Sequence, residues 1–370
     1  MRRTARESMR VRRGCGGAVA LLGPGRWGRF GRFASGSGAA TLRLLLWLWV
    51  AAAVAAISAQ GCGPGGGDRQ TAAVREGAGP RDEKTGAAPS GVVIGVSLLT
   101  RTHPFYQDLE AGLREAAAAR GYELLVQAGE FDVAKQKDQI EDFLVRKVNA
   151  IVVCPCDSKS IGTSVQAANA AGVPVFTADI AVLAEGAKVV CHVASDNVAG
   201  GRLAARAVSE AIGGKGKVAI IDHPEVESVI QRVRGFEEEI AQHPGITVVA
   251  KLTGRGMKDA AFRTAEDILQ SHPDLDAIFG INDDSALGAL AAVEKAGRQG
   301  RVTIVGFDAV PEAREAIAAG KIHADVIQQP RTIGETTIAA IADYMTGLEV
   351  PPAILIPCEL FTREKAKAGS

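Results

Sequence analysis

From Gly91 onward the apolar residues follow two alternating patterns. Short runs rich in Val and Ile (VVIGVSLL, NAIVVCP, VPVFTAD, KVAIID, DAIFGIN, VTIVGFD) are each followed by a longer stretch whose apolar positions recur three and four apart. The first pattern suits strands buried on both faces, the second amphipathic helices. The spacing predicts helices over 105–120, 134–146, 159–171, 228–242, 258–271, 285–296 and 312–319, with further strands at YELLVQA and ITVVAKL. Gly121, Gly172 and Gly297 stand where several of these helices should stop.

The alternation occurs twice, in runs of roughly 100 residues each, which predicts an α/β protein built from βαβ units. The expected architecture is two Rossmann-like parallel-sheet lobes joined by a multi-strand hinge, with a ligand cleft between them. A last strand HADVIQQ, a helix over 331–345 and a final AILIP should carry the chain across the hinge more than once. The expected lobes are 91–195 plus 329–356 and 196–328 plus 357–370.

The first 90 residues follow neither pattern. Residues 1–43 hold ten Arg, no Lys and Glu7 as the only acid, a net +9, while the remaining 32 basic and 41 acidic residues give −9. The formal zero of the whole chain therefore averages a basic leader with an acidic body. An acidic body argues against nucleic acid as a partner, because that affinity rests on clustered cations. Residues 44–59 (LLLWLWVAAAVAAISA) form an uncharged run shorter than the roughly 20 residues of a membrane span, so 1–61 reads as an export signal with a basic leader. Ala59 and Gly61 before Cys62 resemble a lipoprotein signal, in which Cys62 would be lipidated; ordinary signal-peptidase cleavage and an uncleaved anchor remain alternatives. Residues 62–90, rich in Gly, Pro and charge, read as a flexible tether.

Catalytic signatures are missing. The chain has no G-x-x-x-x-G-K-[ST] loop, no G-x-G-x-x-G after the first strand, no H-E-x-x-H and no G-x-S-x-G. Neither catalytic residues nor a cofactor nor a metal site is expected, and the protein is not expected to be an enzyme. The histidines are scattered, and His192, His243 and His272 are expected at the surface. Cys154, Cys156, Cys191 and Cys358 are read as small buried hydrophobes, with one disulfide as the alternative.

The positive signal lies at the strand ends. His103, Phe105 and Tyr106 head the first helix, Asp179 ends VPVFTAD, Arg232 lies on the helix after KVAIID, and Asn282, Asp308 and Gln328 close later strands. One such residue is usually a turn or a cap. Recurrence at equivalent places in two repeats points to a shared site, where ligands of open parallel sheets bind. Aromatics suit the C–H face of a sugar ring, and amides and carboxylates suit its hydroxyls.

These residues lie in motifs that carry a resemblance. HPFYQDLEAGLREAA, GVPVFTAD, HVASDNVAGGRLAA, QRVRGFEEEI, HPDLDAIFGINDDSALGAL, IVGFD and IQQP together resemble the periplasmic sugar-binding proteins of ABC importers, most closely the ribose-binding type. The resemblance implies that Phe105 and Tyr106 sandwich a sugar ring while Asp179, Arg232, Asn282, Asp308 and Gln328 bond its hydroxyls. It also implies delivery to an ABC permease by an exported monomer, held at the outer face of the cytoplasmic membrane or free in the periplasm. Three positions depart from the ribose pattern. His103 replaces Asn, Ile180 replaces the Arg after the aspartate, and the second lobe's stacking aromatic falls near Gly256 or Met257. They point to another pentose or hexose, a deoxy sugar, a polyol or a furanose. A receptor for a sensor kinase or chemotaxis partner would share this fold. A lactose-repressor-like effector domain would need a helix-turn-helix ahead of it, where the chain has an apolar run and a tether.

Overall fold

The computed structural model describes residues 91–368. The export run, Cys62 and the tether lie outside the described residues. One sheet contains β1 (Val93–Leu98), β2 (Glu123–Ala128), β3 (Ala150–Val153), β4 (Val175–Ala178), β5 (His192–Ser195) and, from near the C-terminus, β11 (Ala353–Ile356). Their order is β11-β5-β4-β3-β1-β2, every pair parallel. Helices α1 (Pro104–Ala118), α2 (Val133–Val145), α3 (Gly162–Ala170) and α9 (Pro330–Met345) accompany it.

The second sheet holds β6 (Lys215–Asp222), β7 (Gly245–Thr253), β8 (Ala277–Gly280), β9 (Thr303–Asp308), β10 (Ala324–Ile327) and β12 (Glu359–Thr362). Its order, β12-β10-β9-β8-β6-β7, repeats that of the first, except that β12 is antiparallel to β10. It carries α4 (Asn197–Ala211), α5 (Glu227–Ile240), α6 (Lys258–Ser271), α7 (Asp283–Lys295), α8 (Pro311–Ala318) and α10 (Arg363–Ala368). Every residue of β3, β4 and β8 is buried, as strands covered by helices on both faces require.

The chain passes between the sheets after β5, after β10 and between β11 and β12. The three crossings lie side by side. The Asp196 amide donates to the Ile356 carbonyl at 2.8 Å, Gln329 Nε2 donates to the Pro357 carbonyl at 3.0 Å, and Cys358 Sγ lies 3.8 Å from the Asp196 carbonyl.

Four elements are absent from the sequence reading: β5, α4, β12 and α10. The β5 strand, HVAS, is bounded by His192 and Ser195 and holds only two apolar residues, so it prints no Val and Ile run. The α4 helix contains Gly200 and Gly201, which lower helix propensity. Packing supplies their reason: a Cβ on Gly201 would lie 2.0 Å from the Arg232 carbonyl, and one on Gly235 2.1 Å from the Val198 carbonyl. Helices α4 and α5 therefore meet backbone to backbone. The histidine expectation needs correction as well. His192, His243 and His272 are half-buried, with the His192 ring 2.8 Å from Thr177 Oγ1 and the His243 ring 3.1 Å from Ser209 Oγ. Cys154, Cys156, Cys191 and Cys358 are unpaired, the first three buried and the last partly so.

Candidate functional site

The site begins where β1 gives way to α1. His103 is the N-cap of α1, and its Nδ1 accepts the Phe105 amide at 3.2 Å. A ring nitrogen that accepts carries no proton, so the neutral ring's hydrogen sits on Nε2. That Nε2 is buried, has no hydrogen-bond partner, and lies 3.6 Å from Asp308 Oδ2 on the other lobe. Pro104 opens the helix, its missing N–H being one that no helix start could pair. Phe105 and Tyr106 follow, packed edge to face with centroids 5.1 Å apart.

The Tyr106 hydroxyl donates to Asp179 Oδ2 at 2.7 Å. Asp179 follows β4 with φ 65 and is 3% exposed, and its Oδ1 has no partner. Burial pushes its carboxyl up to about 6, against the opposing pull of Arg232 and the Tyr106 hydroxyl. The Arg232 guanidinium is held from several sides. Nε donates to Asn197 Oδ1 and Nη1 to the Ile281 carbonyl, each at 2.8 Å, while Cζ lies 4.0 Å from the centre of the Phe307 ring. Asp308 Oδ1 is 3.8 Å from Nη1 and accepts Gln328 Nε2 at 2.5 Å. Gln328 Oε1 is buried without a partner.

Asn282 is the N-cap of α7. Its Oδ1 accepts the Ser285 amide at 3.0 Å and the Ser285 hydroxyl at 2.6 Å, and its Nδ2 donates to the Gly256 carbonyl at 3.1 Å. Capping thus uses much of the hydrogen-bonding capacity that the sequence suggested was free.

His103, Phe105, Tyr106, Asp179, Arg232, Asn282, Asp308 and Gln328 all line one cavity between the lobes. Sequence reasoning missed part of its wall. Phe131 enters from a turn in which Glu130 and Phe131 both have positive φ (54° and 62°), a geometry that two non-glycine residues do not advertise. Gly256, where the resemblance places the second lobe's stacking aromatic, lines the cavity with φ 63. The ring that the second lobe does supply is His223, its centroid 6.5 Å from that of Phe131. Val226, Ser228 and Val229 complete that side.

Behind Asp308 lies a pair of buried acids. Asp283 Oδ2 accepts the Val310 amide at 2.6 Å, whereas Asp283 Oδ1 and both Asp325 oxygens have no partner. Both carboxyls face Gly306, where a Cβ would meet Asp325 Oδ2 at 2.7 Å and Asp283 Oδ1 at 3.0 Å. Burial and mutual repulsion hold Asp283 well above the usual range, and burial pushes Asp325 up to about 7.

Comparison with known proteins identifies the family and the fold. The family described as periplasmic binding protein domain matches residues 94–349. The ribose import binding protein of Bacillus subtilis (strain 168) is 36% identical over 272 residues, spanning 73% of this chain and 87% of that protein. The D-apiose import binding protein of Paraburkholderia graminis is 33% identical over 289 residues, spanning 77% and 91%. Among solved structures, an ABC transporter periplasmic solute binding protein from Actinobacillus succinogenes 130z with bound D-allose superposes with a TM-score of 0.69 at 30% identity, covering 75% of this chain and 99% of that one.

Proposed function

The chain belongs to the periplasmic binding protein family, and from that premise we propose that it is the solute receptor of an ABC importer, closing two lobes over one monosaccharide or related polyol and presenting it to a permease. The observation that carries this reading is the set of buried, unpartnered polar atoms in the inter-lobe cavity: His103 Nε2, Asp179 Oδ1 and Gln328 Oε1. Buried polar groups are normally paired. A donor and two acceptors lining one cavity match the hydroxyls of a small polyhydroxylated ligand.

In this reading Phe105 presents its ring to a sugar face, with Tyr106 packed behind it and holding Asp179 in place. Asp179 and Gln328 accept ligand hydroxyls, His103 donates to one, and Asp308 and Arg232 form the charged floor. Asn282 shapes the wall by tying α7 to Gly256. Closure follows because a ligand bonded to His103 and Asp179 on one lobe and to Gln328 at the crossing gains most when the lobes meet. Cys62, after the apolar run and a small-residue pair, would supply a lipid anchor, and the receptor would act as a monomer in the periplasm or at the membrane's outer face. A thermal-shift panel of pentoses, hexoses and polyols tests the proposal. A ligand at a hundred times its Kd adds about 2.7 kcal/mol of apparent stability. No shift with any sugar or polyol would remove the proposal.

A further inference from the structure

The motif HVASDNVAGG runs through the first crossing between the lobes. Ser195 ends β5 in the first lobe, Asp196 is the crossing residue, and Asn197 opens α4 in the second. Asp196 has φ −69 and ψ 80, values of neither strand nor helix, so the chain turns there. Asn197, 5% exposed, spans this turn with its side chain. Its Nδ2 donates to the Ser195 carbonyl at 3.1 Å, and its Oδ1 accepts Arg232 Nε at 2.8 Å.

The chemistry at its two ends fixes this residue type. A guanidinium only donates, so an oxygen must face Nε, and a carbonyl only accepts, so an N–H must face Ser195. Among side chains of this length asparagine alone carries both. An aspartate would set a carboxylate oxygen against the Ser195 carbonyl, and an alanine would leave the buried Nε–H without its acceptor. The other end of the guanidinium belongs to the ligand site. Nη1 donates to the Ile281 carbonyl at 2.8 Å and lies 3.8 Å from Asp308 Oδ1, and Arg232, Ile281 and Asp308 all line the cavity. An unbroken line of contacts therefore joins the cavity to the backbone of the crossing. Opening the lobes turns that backbone, because hinge residues absorb the change in φ and ψ.

We propose that Asn197 is a positioning residue of the receptor: it holds the Arg232 guanidinium at the cavity wall and ties that placement to the backbone turn at Asp196, so that ligand binding and closure of the lobes favour each other. The assignment rests on the solute-receptor reading and goes beyond it by naming the part through which the cavity acts on the hinge. Such coupling is reciprocal. A ligand that steadies the guanidinium steadies the crossing, and a loosened crossing weakens the ligand. The turn is well placed for this, since the Asp196 amide donates to the Ile356 carbonyl of the third crossing at 2.8 Å.

The test is titration calorimetry of the full-length protein, with the tightest binder among D-ribose, D-xylose, D-allose, D-glucose, D-galactose, D-fructose, xylitol and myo-inositol as probe. Asn197→Ala should weaken the probe by about 10- to 30-fold, the value of a hydrogen bond to a charged group. Asn197→Asp keeps an acceptor for Nε and loses the bond to Ser195, so it should fall between, at about 3-fold. That partial rescue separates positioning from packing, which both variants disturb alike. In a cycle with Arg232→Lys, which removes the Nε donor, adding Asn197→Ala should change affinity by less than about 3-fold. Asn197→Ser stands in should Asn197→Ala not fold, and the aspartate rescue decides should Arg232→Lys abolish binding. An aspartate variant no better than alanine, one equal to wild type, or losses that multiply in the double variant would each overturn the inference and leave the receptor standing. No binding by any of the probes would overturn the receptor reading and this inference together.

Discussion

The Ser158 hydroxyl, on the loop after β3, accepts the backbone amide of Glu227 at 2.9 Å, and so caps in trans a helix of the opposite lobe. Helix α5 needs such help because its own N-cap position is Val226, which has no side-chain acceptor. Ser158 is held in return, its amide donating to the Glu225 carbonyl at 3.0 Å. Both bonds exist only while the lobes are together.

Ser158→Ala should therefore weaken ligand binding by about 3- to 10-fold, the value of one hydrogen bond, mostly through faster release. Stopped-flow dissociation of any ligand found in the panel measures it. An unchanged off-rate would mean that the contact contributes nothing to closure.

Asp179 should make binding depend on pH. Its carboxyl is raised to about 6, and accepting a ligand hydroxyl through Oδ1 favours the ionised form. Affinity should fall as pH drops below about 6 and level off above it. Unfolding has the opposite sign. The folded carboxyl titrates above the unfolded one, so its stabilising contribution is present below the unfolded value of roughly 3.9 and is lost as pH rises through about 6. Calorimetric titrations with ligand from pH 5 to 8 check the first half, and thermal melts of the ligand-free protein from about pH 3.5 to 8 check the second, each on wild type and Asp179→Asn. The variant should lose the dependence, with the Tyr106 hydroxyl still able to donate to the new amide oxygen.

A second titration lies behind the ligand wall. Asp283 and Asp325 are both fully buried, and the Asp308 carboxylate raises both further. Two carboxyls in this position hold at least one proton, so stability should decline as pH rises through about 7. Asp325→Asn removes the second charge and offers an N–H to Asp283. The variant should match or exceed wild type above pH 7, by roughly 1–3 kcal/mol, and show a flatter curve of Tm against pH. Identical curves would show that the pair does not titrate in this range.

The sequence made the lobes legible because strands buried on both faces print continuous Val and Ile runs, and the amphipathic helices between them end at glycine. The strand-end chemistry was legible for the same reason: Asp179, Asp308 and Gln328 punctuate those runs. What stayed hidden was any feature that depends on tertiary partners. Phe131 reaches the cavity only through a left-handed pair of residues, and Ser158 matters only because a helix from the other lobe arrives beside it. Asn282 reads as a ligand amide or as a cap in DAIFGINDDSAL, and only the fold shows Ser285 bonded back onto it. Asn282→Ala should accordingly lower stability by about 1–2 kcal/mol through loss of the cap, whatever it does to affinity, and denaturant melts of the ligand-free protein measure this. Asn282→Asp, which keeps the cap and loses the donor to Gly256, separates the two roles.

The glycines of α4 and α5 carry the last prediction. A Cβ at Gly201 would sit 2.0 Å from the carbonyl of Arg232, the residue whose guanidinium faces Asp308, so any larger side chain must push the two helices apart. Gly201→Ala should remove the Arg232 bonds to Asn197 and Ile281 and cost several kcal/mol, despite alanine's better helix propensity. Gly172→Ala makes the control: its Cβ would meet open space, and only its φ of 75° resists substitution, so about 1 kcal/mol is expected. If Gly201→Ala proves no worse than the control in denaturant unfolding, the close approach of α4 and α5 is not what positions the guanidinium.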